Sequence, residues 1–248
     1  MKRLSLAALL IVVPLGGACA ATYNVSSGFS ISSNTQTSLW SYRFSTSTAH
    51  TNNYSLMTTS GNLVNELGAF ITNANGPATK PVLSVASFPC WFTTNGPGLA
   101  PLFCNNPSVN NAIASFLAGK STVYTARVTP AETVQFTPPA TGLSVVSFLV
   151  PKSGMATILY QFTPNDYSCA LPGSGVTADG INWYVDKNTE TVTWGTLYTT
   201  SAMSLATTGA DNVSFSVNQG DRINFIIAPN KGNANCTSTV LSATITIP

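Results

Sequence analysis

An all-β fold, one sandwich of about ten antiparallel strands, is what this sequence predicts. Three observations carry the prediction. Apolar residues recur mostly at every second position, the period of a strand. The apolar runs are short, and Gly, Pro and Asn break them at turn-like places. No Pro/Ser tract, charge run or clear repeat marks a linker, so the 248 residues fit one large sandwich better than two small domains.

The chain opens MKRLSLAALLIVVPLGGACAATYN. Lys2 and Arg3 form a basic start, residues 4–15 an apolar run, and Ala18 and Ala20 an A-x-A site. This reads as a signal peptide over 1–20, leaving a single domain over 21–248. The run falls short of the about 20 apolar residues that cross a bilayer. Lipidation at Cys19 would want a large aliphatic residue three positions earlier, where Gly16 stands. No later segment is long and apolar enough to span. The expected location is therefore secreted, periplasmic or extracellular.

Along the rest of the chain, SLWSYRFS, PVLSVASF, STVYTARV, TVQFTP, LSVVSFLV, ATILYQF, INWYVD, TVTWGTLYT, VSFSV, RINFIIAP and LSATITIP read as strands. Helix is compatible only with 62–71 and 109–117. In INWYVDKNTETVTWGTLYT, Ile181, Trp183 and Val185 share one face and Asn182, Tyr184 and Asp186 the other. After a turn through 187–190, Val192 and Trp194 again share a face, which puts both tryptophans in the core and leaves Tyr184 and Tyr198 outside or at a rim. Gly195, with no side chain to pack, predicts a bulge.

Four cysteines remain beyond the leader: Cys90, Cys104, Cys169 and Cys236. An even set in an oxidising compartment predicts two disulfides. Three pairings are possible. The sequential one joins Cys90 with Cys104 and Cys169 with Cys236, closing loops worth about 3 and about 4 kcal/mol in the chain-entropy treatment. Zinc is disfavoured, because there is no C-x-x-C pair and no histidine cluster.

Charge excludes whole classes of partner. Without Lys2 and Arg3 the 10 basic residues fall to 8 and match the 8 acidic ones. No basic stripe exists to hold nucleic acid or an anionic membrane. The chain's one histidine, His50, lies in the polar stretch TSTAHTNNYS without a nucleophile-elbow motif, and reads as an exposed loop residue. Two converging carboxylates could still hydrolyse a glycoside. Most candidates (Asp179, Asp186, Glu190, Asp211, Asp221) sit at turns, and Glu66 and Glu132 remain as a distant pair beside Asp166. An enzyme is the less favoured reading, and neither metal nor cofactor is expected.

Binding needs less. A flat aromatic ring covers the apolar face of a sugar, and Asn, Ser and Thr meet its hydroxyls. Trp91 and Phe92, in the loop CWFTTNGPGLAPLFC, are the leading candidates for a presented platform; Trp91 packing against a disulfide is the competing reading. Trp40, Tyr42, Tyr184 and Tyr198 complete the set, with core or rim the default for Trp40 and Tyr42.

TVQFTPPATGLSVVSFL, INWYVDKNTETVTWGTL, VSFSVNQGDRINFIIAPN and the closing STVLSATITI resemble a recurrent bacterial exported β-sandwich. That type has a V-x-F-T-x-P-x-x-G turn, a V-x-x-N-G hairpin and V-x-x-G-D-x-I-x-F-x-V before a final strand. FSISSNTQTSLWSYRF is similar to its opening. The resemblance implies one jelly roll, similar to carbohydrate-binding modules. Asn188-Thr189 stands where Asn-Gly is usual, implying a longer turn, and Cys236 replaces a usual polar residue, so no ion site is carried over. The expected function is secreted, non-catalytic carbohydrate binding, with a polysaccharide or glycan as partner. The alternatives are an assembly or adhesion protein that uses aromatic patches and, behind it, a glycosidase or lyase.

Overall fold

The structure, a computed structural model, describes residues 20–63, 88–92, 102–105, 134–139, 141–164, 180–197, 211–230, 237 and 239–248. Among them are 14 strands and no helix, arranged as two antiparallel sheets. The larger sheet runs β12 (Asp211–Val217), β9 (Gly154–Pro164), β14 (Thr239–Ile247), β7 (Val134–Thr137), β6 (Leu102–Asn105), β5 (Phe88–Phe92), β4 (Thr59–Leu63). In it β14 shares one edge between β7 and β1 (Ala21–Asn24). The six-stranded sheet runs β11 (Glu190–Leu197), β10 (Ile181–Lys187), β13 (Arg222–Pro229), β8 (Leu143–Leu149), β2 (Trp40–Ser45), β3 (Ser55–Leu56). This is an all-β sandwich of jelly-roll type: the period-two pattern predicts the β-sandwich, and the resemblance implies the jelly roll.

One core fills the space between the sheets. Alternation aims Trp40 and Tyr42, Val146 and Phe148, Ile181, Trp183 and Val185, and Ile223, Phe225 and Ile227 inward from the six-stranded sheet. Ala156, Ile158, Tyr160 and Phe162 meet them from β9, and Leu241, Ala243, Ile245 and Ile247 from β14. Each Val, Leu, Ile or Phe among them contributes about 1.5–3 kcal/mol on leaving water. Trp183 lies 5.3 Å from Phe162, nearly parallel, and 5.8 Å from Tyr160.

Several sequence expectations change. Strands β1, β3, β4, β5 and β6 went unpredicted; they are short or rich in Gly, Pro, Asn and Ser. Residues 62 and 63, expected as helix, belong to β4. The rest of 62–71, the stretch 109–117, and residues 81–87 and 121–128 lie outside the described residues. The β10–β11 turn is tight rather than long: Lys187 pairs with Glu190, and Asn188 adopts φ 55°, which asparagine tolerates. Its side chain is spent there, accepting from Arg222 N at 2.8 Å and donating to Asp221 Oδ1 at 3.0 Å.

The largest correction concerns Trp194. The bulge lies between Val185 and Asp186, opposite Val192, and not at Gly195. Val185 pairs with Thr193 and Asp186 with Thr191, so Val192 is the unmatched residue. One extra residue slips the register by one and turns every later side chain of β11 over. Trp183 therefore faces Gly195 rather than Trp194, and a Cβ on Gly195 would stand 2.7 Å from the Trp183 ring. Gly195 is the space that the indole of Trp183 occupies. Trp194 consequently points outward, 66% exposed.

Gly142 meets a harder constraint as the chain enters β8. It has φ 120°, and a Cβ there would lie 2.0 Å from the backbone oxygen of Ser45. Backbone cannot yield as a flexible side chain can. Gly142→Ala is expected to cost more than about 2 kcal/mol in urea unfolding; an unchanged midpoint would contradict that placement.

Candidate functional site

The outer face of the six-stranded sheet departs from the usual solvated pattern. Ser41, Ser147, Asn224 and Asp186 stand side by side across β2, β8, β13 and β10, and all four are fully buried. The next row is Arg43, Val145, Ile226, Tyr184 and Trp194. Tyr54, Leu143, Val145, Ile226 and Ala228 form a second apolar cluster on this face, with Tyr184 packed against it. Residues 46–54 supply its cover through Tyr54 and His50.

Arg43, 1% exposed, is held by neutral acceptors: Ser41 Oγ at 2.8 Å, Gln36 Oε1 at 2.7 Å and Tyr54 O at 3.5 Å. Burial, with the nearby Arg222 charge, pulls its guanidinium down to about 10. Arg222 donates to Ser147 Oγ at 3.3 Å and to the Gln36 carbonyl. Burial likewise lowers Arg222.

His50 is not the exposed loop histidine that its neighbours suggest. Its Nδ1 lies 2.6 Å from Asp186 Oδ2, its side chain is 19% exposed, and its ring meets Tyr184 edge-on at 4.6 Å. The other carboxylate oxygen, Asp186 Oδ1, is buried with no partner, and so is Asn224 Oδ1 on the neighbouring strand. The two residues are register partners on β10 and β13, and each keeps one buried acceptor without a donor. Asp186→Asn would replace the unpartnered carboxylate with a neutral amide whose carbonyl can still accept from His50. At pH 8 the substitution is expected to stabilise the fold by about 1–3 kcal/mol, raising Tm by about 2–4 °C for each kcal/mol. A lower unfolding midpoint would refute this reading of the two unpartnered oxygens.

At the exposed end of this face, Trp194 lies across from Tyr184, and the adjacent pair Asn182–Thr196 is joined by a 2.8 Å hydrogen bond from Thr196 Oγ1. A flat ring beside an amide and a hydroxyl is the chemistry a sugar face requires. Burial, then the Asp186 charge, raises the Tyr184 phenol, which stays neutral at ordinary pH.

The sequence-predicted rings separate. Trp40, Tyr42 and Trp91 are buried in the inter-sheet core, so they cannot serve as a surface platform. The indole Nε1 of Trp91 is also spent, donating to Ser30 O at 2.7 Å. Tyr184 is half-buried on the outer face. Tyr198, Cys169, Cys236, Glu66, Glu132, Asp166 and Asp179 and the side chains of Phe92 and Cys104 lie outside the described residues. Cys90 is buried and disulfide-bonded, and Cys104 is its register partner across β5 and β6. Among the described residues no cluster of three metal-ligating side chains occurs, and no helix is long and apolar enough to cross a membrane. The residue that sequence reasoning misplaced is Trp194. Gly195, one position on, was the available signal, because it leaves the space into which Trp183 fits.

No protein-family model and no curated protein matches the sequence. Solved structures share a fold-level likeness with it. A CBM51 from Clostridium perfringens GH95, in complex with methyl-galactose, is 12% identical over 46% of this chain and 69% of its own, at a TM-score of 0.30. CBM51-2 with the INT domains from Clostridium perfringens ZmpB, in complex with GlcNAc, is 9% identical over 47% of this chain at 0.31; only 22% of that longer chain is spanned. A family 35 carbohydrate-binding module from Clostridium thermocellum is 14% identical over 50% of this chain and 84% of its own, at 0.28. These are likenesses of fold alone, and the functional reading rests on the residues of the outer face.

Proposed function

We propose that the protein is an exported, non-catalytic carbohydrate-binding β-sandwich, one domain over 21–248, whose contact surface is the outer face of the β10–β11 hairpin. The observation that carries this reading is the exposure of Trp194 on a strand face beside Tyr184, Asn182 and Thr196. The ring stacks on a sugar face, and the amide and hydroxyl meet its hydroxyl groups. The basic-then-apolar start supports export. A Cys90–Cys104 disulfide, joining register partners on β5 and β6, staples the far end of the larger sheet, and Cys169–Cys236 is its proposed companion.

The assembly reading has less to stand on. Met155 and Leu159 are exposed on β9, but Thr157 between them is exposed too and bonds to Ser214, which breaks the apolar surface. A pull-down on insoluble polysaccharides, together with a glycan array, tests the proposal. Wild type should be retained on at least one glycan and Trp194→Ala should not. Equal retention of the two would move the site elsewhere, and no retention of wild type on any glycan would overturn the class.

A further inference from the structure

We propose that the His50–Asp186 pair is a pH-sensitive latch, which holds residues 46–54 closed over the outer face of the six-stranded sheet and releases them as the imidazole loses its charge. The latch stands apart from the glycan reading and is measured without any ligand.

Four observations converge on it. His50 is the chain's one histidine, and its Nδ1 lies 2.6 Å from a carboxylate that is itself fully buried. That carboxylate has no second partner, because Asp186 Oδ1 is buried and unbonded. The strap bears on an apolar cluster through Tyr54, which packs with Leu143, Val145, Ile226 and Ala228. Among the described residues its other polar ties to the sheet are few: Ser47 N to Ser45 Oγ at 3.0 Å where the strap leaves β2, the long Arg43 contact to Tyr54 O, the edge contact of His50 on Tyr184, and Thr191 Oγ1 at 3.4 Å from His50 Nδ1.

The titratable and charged groups that face the pair are Tyr184 on β10 and Tyr54 on the strap, both of which feel the Asp186 charge, with Arg43 on β2 beyond Tyr54; Lys187 turns away to Asp221. Burial holds Tyr54 up at about 12, and Arg43 stays charged at about 10. Imidazole is the side chain whose ordinary range falls between pH 5 and 8. While charged, His50 balances the buried Asp186. Once neutral, it leaves a buried carboxylate with a single neutral N–H, which is the costly arrangement. The latch is therefore firm while His50 is charged and loose once it is neutral.

Hydrogen exchange of residues 46–54 in the whole protein at pH 5.5 and pH 8, corrected for intrinsic rates, reads this directly. A charge-assisted bond exceeds a neutral one by enough for an about tenfold fall in strap protection at the higher pH. His50→Gln and Asp186→Asn should each abolish the pH dependence; the second keeps the contact without the charge, so it also separates the latch from a general loss of packing. Equal protection of the wild type at both pH values would overturn the proposal. So would a pH dependence that survives in both variants.

Discussion

Trp194→Ala is expected to weaken glycan binding by about thirtyfold or more, the cost of truncating a central aromatic contact, about 2 kcal/mol. Its effect on unfolding should stay within about 0.5 kcal/mol, because the ring is mostly in solvent. The pairing of the two results carries the meaning. A loss of binding that came with a large loss of stability would show a ring that shapes the hairpin, not one that meets a ligand. Isothermal titration with a soluble oligosaccharide from the retained glycan, run beside urea unfolding, measures both.

Trp183→Ala should do the reverse. Trp183 packs against Phe162 and Tyr160 and fills the space left by Gly195, inside the inter-sheet core. Its removal is expected to cost about 3–5 kcal/mol, with a fall in Tm of about 2–4 °C for each kcal/mol. Any variant still folded should bind glycan through an intact Trp194. The two tryptophans come from one hairpin and differ by a single register step. A cost below about 1 kcal/mol at Trp183 would contradict the pairing described for β10 and β11.

That register step explains what could be read from the sequence and what could not. The alternation in INWYVD, LSVVSFLV and RINFIIAP is clean because each strand lies inside its sheet with an apolar inner face, and all three fold as they read. In β11 the same counting fails at one residue. The bulge at Val192 leaves no compositional trace, and only the steric demand of Trp183 against Gly195 shows why Trp194 turns outward. The segments β4 to β6 pair with each other across long sequence gaps, and their short, polar or proline-containing stretches carry little period to read.

The candidate site was less legible than the fold. The aromatic residues were the right kind to seek, but Trp91 is buried in the core and its indole N–H is spent on Ser30 O. Tyr184 was placed on the outer face by alternation alone. The His50–Asp186 pair joins residues 136 apart in sequence, through a strap with no periodicity, and only the folded chain brings them together. Asp186 reads as a hairpin carboxylate at a turn; in the structure it is fully buried.

The central claim is that Trp194 is the ring a glycan covers, and selective oxidation of indole by N-bromosuccinimide tests it most directly. The chain's four tryptophans divide sharply, with Trp40, Trp91 and Trp183 at 8% exposure or less against 66% for Trp194. Native protein should lose one indole per chain to limiting reagent, at Trp194, and saturating glycan should protect it. Glycan that binds while leaving Trp194 fully reactive would contradict the claim and place the contact on another face of the sandwich.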